Sequence, residues 1–77
     1  MAEGWEITVV SDVEADALCA EVLFHGELWA SILDRGDGSA LTLETYPRSA
    51  PRRRSDTWRF DLSEALAQLT EARSRLR

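Results

Sequence analysis

The chain has no lysine, and only one cysteine, one histidine and two prolines in 77 residues. Each shortage closes a route. Without lysine there is no Lys-terminated phosphate loop, and Gly36 and Gly38 do not complete a Gly-x-Gly-x-x-Gly fingerprint. A lone thiol, Cys19, can form neither an intrachain disulfide nor a thiolate-rich zinc site. It fits a reducing compartment, so the expected location is cytoplasmic. No apolar run approaches the roughly 18 residues of a membrane span. Met1-Ala2-Glu3-Gly4 places no basic stretch before an apolar one, so neither a secretory signal nor a membrane role is expected.

What is present is an ordinary globular balance, 44% apolar and 30% charged. Seventy-seven residues suffice for one small domain with a thin core. The expected organisation is therefore a single α+β domain over 1–77.

The net charge of −5 is unevenly placed. Residues 1–46 hold ten acids and one base, Arg35, whereas residues 47–77 hold four acids and eight arginines. Pairing of the two halves inside the fold is one reading. An acidic strand surface that steers in a basic partner is the other.

Periodicity assigns the elements. Trp5, Ile7 and Val9 alternate with polar residues, which predicts a half-buried strand. The acids from Ser11 to Asp16 interrupt it. Leu18 to Phe24 is the next strand, and His25-Gly26 suits a two-residue hairpin loop because both residues accept positive φ. Pairing Phe24 with Glu27 sets an expected register in which Val22 opposes Trp29, Ala20 opposes Ser31 and Cys19 opposes Ile32. Arg35-Gly36-Asp37-Gly38-Ser39 predicts a turn, and Ala40 to Tyr46 a further strand that Pro47 ends. The stretch 47–56, with Arg48, Arg52, Arg53 and Arg54, is expected to be an exposed basic loop. Thr57 to Phe60 predicts one more short strand.

The strongest local signal comes last. Asp61 can cap a helix, with Glu64 three residues on to complete a capping box. Leu62, Ala65, Leu66, Leu69, Ala72 and Leu76 then form an apolar stripe. The spacing predicts a helix over about 62–75, with Leu66 and Leu69 buried against the sheet. The fold class is accordingly α+β: an antiparallel meander of four to five strands covered on one face by a C-terminal helix.

Little of this reads as catalysis. Cys19 and His25 lie six apart on one strand, about 20 Å if extended, too far for a nucleophile and its base. The acids Asp34 and Asp37 sit in the turn, where an ion-binding loop of calcium type would lack its bidentate acid at Thr45. No catalytic residue, cofactor site or metal site is expected, and the chain is not expected to be an enzyme.

Phe24-His25-Gly26-Glu27-Leu28-Trp29-Ala30, Leu41-Thr42-Leu43-Glu44-Thr45-Tyr46-Pro47 and Trp58-Arg59-Phe60-Asp61-Leu62-Ser63-Glu64-Ala65-Leu66 together resemble small bacterial proteins of immunity or uncharacterised type. Some of these are antidotes of polymorphic or contact-dependent toxins. The resemblance runs from Trp5 to Leu76, rests on turn, cap and stripe residues, and transfers no functional residue. It implies a non-enzymatic antidote that binds and blocks a toxin domain.

One helix can cover only one face of a sheet, so the other face is expected to serve a partner protein with a basic surface. Its candidate residues are the acids Glu21, Glu27 and Glu44 around either Trp29 or the pair Leu28 and Ile32, since the alternation leaves open which face the helix covers. The alternatives are a nucleic-acid-associated regulator using Arg52, Arg53, Arg54 and Trp58, and a homodimeric accessory domain. The net acidity argues against nucleic acid.

Overall fold

A computed structural model describes residues 3–14, 16–47 and 58–77. Arg48, Arg52, Arg53, Arg54 and Thr57 lie outside the described residues, and with them most of the expected basic loop. The elements are β1 (Trp5–Asp12), β2 (Ala17–Phe24), β3 (Glu27–Asp34), β4 (Thr42–Thr45) and α1 (Leu62–Leu76). The strands form one antiparallel sheet in the order β1-β2-β3-β4, and α1 packs on one face of it. Trp58 to Phe60 carries no strand, so the expected fifth strand is not found among the described residues.

The β2–β3 turn follows from its two residues. His25 has φ 51° and Gly26 φ 81°, the paired positive values of a type I′ loop. Phe24 opposes Glu27 and Leu23 opposes Leu28, as the loop dictates. The register then shifts by one. Val22 opposes Ala30, Ala20 opposes Ile32 and Cys19 opposes Leu33. Trp29 is the additional residue of a β-bulge, so the register expected from strict alternation fails beyond it. The bulge puts Trp29 and Ile32 on the same face, with the helix.

That face is the core. Ala20, Val22 and Ala72 are fully buried, with Trp5 and Ile32 beside them. At the hairpin end the filling is aromatic. The Trp5 ring lies 4.6 Å from Phe60, 4.8 Å from Phe24 and 5.7 Å from Trp29, centroid to centroid. These are tilted and edge-on arrangements, which suit the ring quadrupoles. Trp58 stacks on Phe60 at 5.4 Å and donates its indole N–H to the Tyr46 carbonyl at 2.9 Å.

Asp61 caps α1, its Oδ2 accepting from the Glu64 N–H at 3.1 Å. The Glu64 carboxylate accepts from Trp5 Nε1 at 3.2 Å and so ties the first helical turn to β1. The apolar stripe is only partly used. Leu69 and Leu76 are half-buried, but Leu66 is 54% exposed and Leu62 72% exposed. This corrects the expectation that Leu66 is buried. The closest approach to the sheet is through Ala72, and six residues at 100° each turn Leu66 about 120° away from it.

The far end of α1 is clamped by charge. Arg77 donates from Nε to Asp34 Oδ2 and from Nη2 to Asp34 Oδ1, both at 3.0 Å. Asp34 Oδ1 also accepts from the Gly36 N–H at 2.9 Å. The Arg77 hydrogen bonds first, and the Gly36 N–H second, hold the Asp34 carboxyl below its ordinary value. A folded value below the unfolded one means that the unfolded chain takes up its proton first as pH falls. The stabilisation is complete above the unfolded value of about 3.9 and is lost as pH drops through the depressed one. Asp37, lowered by the Ser39 hydroxyl and N–H, contributes to the same limb. Asp34→Asn is therefore expected to flatten the fall in melting temperature below about pH 4. An acid limb identical to the wild type would contradict the clamp.

Candidate protein-binding face

The side chains opposite the helix follow from the pleat and the registers. They form three rows across the sheet. The first is Glu6, Leu23 and Leu28; the second Thr8, Glu21, Ser31 and Glu44; the third Val10, Cys19, Leu33 and Thr42. An acidic row thus runs between two rows that are mainly apolar.

In the middle row Glu21 and Glu44 flank Ser31, one strand on either side, about 10 Å apart by the strand spacing. The Tyr46 hydroxyl donates to Glu44 Oε1 at 3.2 Å and lies 3.3 Å from Ser31 Oγ. Among the described residues no cation pairs with Glu21 or Glu44. Cys19 is buried beside them. Burial pushes its thiol up; the Ser31 hydrogen bond works against this, and the charges of Glu21, Asp12 and Glu44 add to it. The thiol is accordingly held in its protonated form at neutral pH, the opposite of an activated nucleophile.

The helix side has the other sign. Arg73 and Arg75 stand in the last turn of α1, and Arg77 is its C-cap residue. Arg75 pairs with Glu71 at 3.1 Å and reaches the Ile7 carbonyl at 3.2 Å. Acids from four strand positions, Glu6, Asp12, Glu21 and Glu44, therefore share the face that those arginines do not occupy.

The sequence candidates divide between the two faces. Glu21, Leu28 and Glu44 lie on the face away from the helix, whereas Trp29 and Ile32 lie with the helix core. Glu27 sits opposite Phe24 next to the hairpin loop, half-buried. Trp58 is half-buried against Phe60, and its expected companions Arg52, Arg53 and Arg54 are outside the described residues. Residues missed by the sequence reading are Ser31, Leu33 and Tyr46. A strictly alternating β3 sends Ser31 and Leu33 to the other side, and only the bulge brings them here.

No helix among the described residues is long and apolar enough to cross a membrane. No family model, curated protein or solved structure matches the chain.

Proposed function

We propose that this protein acts by binding another protein of basic surface through the sheet face away from the helix, without catalysis. The observation that supports it is the row Glu21–Ser31–Glu44, whose two carboxylates have no cationic partner among the described residues. Like charges held this close favour a counter-charge brought from outside. Of the flanking apolar rows, the half-buried Leu23 and Leu28 and the 36%-exposed Val10 supply area to desolvate, whereas Leu33 is already buried. Acids in the middle steer and register, while apolar neighbours slow dissociation. An antidote that masks a basic toxin domain is the particular case suggested by the family resemblance, and a cytoplasmic site of action is part of that reading.

The test is capture from a lysate of the source organism with mass-spectrometric identification. The baits are the wild-type chain, Glu21→Lys/Glu44→Lys, and a helix-side control, Leu62→Lys. The expected result is a basic protein retained by the wild type and the control, lost by the double variant, and released faster as salt rises. Identical capture by all three baits would overturn the proposal, provided circular dichroism shows each to be folded.

A further inference from the structure

The two edges of the sheet are finished differently. In β1 the hydrogen bond from the His25 N–H to the Gly4 carbonyl fixes the phase of the ladder, so Ile7 turns its backbone groups outward. The Ile7 carbonyl is met by Arg75 of the helix at 3.2 Å. In β4 the bond from the Tyr46 N–H to the Trp29 carbonyl sets the phase, so Thr42 and Glu44 face β3 and Leu43 and Thr45 point their N–H and C=O groups outward. No described residue meets these groups. Its four residues include no lysine, proline or inward charge, although the strand is short and carries Glu44. On the helix side Leu43 is 54% exposed, and it shares with Ile32, Leu41, Leu66 and Leu69 an open groove of about 250 Å³ between β4 and α1.

We propose that β4 is the seam of a homodimer, in which a second copy adds its own β4 antiparallel about a two-fold axis through the Leu43 pair. The register follows from charge and pleat. Directly opposed residues must share a face, so the axis passes through Leu43 or through Glu44. A Glu44 axis sets two carboxylates against each other. A Leu43 axis sets Thr42 of each copy against Glu44 of the other, a hydroxyl beside a carboxylate, and leaves no like-charged pair. It also matches the outward backbone groups: the two Leu43 residues exchange a reciprocal pair of bonds, flanked by bonds between Thr45 of one copy and Leu41 of the other. Four residues provide few hydrogen bonds, and the burial comes from the groove, where Leu43 of each copy enters the space beside Leu66. The two-fold uses β4 of both copies and so closes as a dimer, while at β1 the Arg75 side chain meets the Ile7 carbonyl. The helices lie on one side and the acidic rows of both copies run on as one sheet face on the other. The dimer does not depend on the function proposed for that face.

Equilibrium sedimentation of the full chain tests it, with cysteine pairing to fix the register. Wild type is expected at twice the 8.7 kDa chain mass with rising concentration, and Leu43→Lys, folded by circular dichroism, at the chain mass throughout. In a Cys19→Ser background, oxidised Leu43→Cys is expected to form a covalent dimer, since hydrogen-bonded partners sit about 5.5 Å apart at Cα, within disulfide range. Thr42→Cys, about 7–8 Å from its copy on the diagonal, is expected to form much less. Monomeric wild type at all concentrations, or equal crosslinking at both positions, would overturn the proposal.

Discussion

Trp5→Ala is expected to remove about 3–5 kcal/mol of stability. A chain of this length has about 4–12 kcal/mol in total, so the loss takes from about a quarter to the whole of it. The magnitude follows from what the ring joins. Trp5 is 8% exposed, and it contacts Phe24 of β2, Trp29 of β3 and Phe60 before the helix. Its indole N–H also holds the Glu64 carboxylate of the first helical turn. Truncation leaves a cavity that four neighbours cannot all close, together with a carboxylate deprived of its donor. Trp5→Phe keeps a ring and loses the hydrogen bond, and should cost clearly less. Urea unfolding separates the two by their midpoints at unchanged slope. A loss below about 1 kcal/mol for the alanine variant would mean that the aromatic cluster does not anchor the fold.

Ala72→Leu is the second large effect, expected to cost about 1–3 kcal/mol. Ala72, Ala20 and Val22 have no exposed surface, and the small side chains let the helix backbone come close to β2. An isobutyl group there must lift the helix or force strained rotamers. The contrast is Leu66→Ala. A leucine 54% exposed should lose well under the about 2–5 kcal/mol typical of a core position. If thermal melts rank these two variants the other way, the helix is rotated from the orientation described.

Much of the fold was readable in the residues. His25-Gly26 specified its loop, Asp61 its cap, and the alternation of β1 its buried side. Those signals are local: each needs only a few neighbouring residues to make its energetic case. What escaped was non-local. Nothing at Trp29 marks a bulge; there is no glycine, only a large ring for which the aromatic cluster has room. One unmarked residue reversed the parity of β3 and redistributed the candidate face, keeping Leu28 with Glu21 and Glu44 and sending Ile32 to the core. The rotation of α1 was hidden for a similar reason. A broad stripe of leucine and alanine fits the sheet at several angles, and the alanines decide which one only when Ala20 and Val22 stand opposite.

The tie between Trp5 and Glu64 spans 59 positions in the chain, whereas the His25-Gly26 hairpin closes over two. Loop-closure entropy separates these events in time. The β2–β3 hairpin can form within microseconds on its own, with β1 and β4 added to its flanks. Docking of α1 must wait for the chain to return across its whole length. Until it does, the Trp5, Phe24 and Trp29 rings face water. That interval, and its brief recurrence whenever the helix lifts away, is when the chain is most open to proteases and to clustering with other copies.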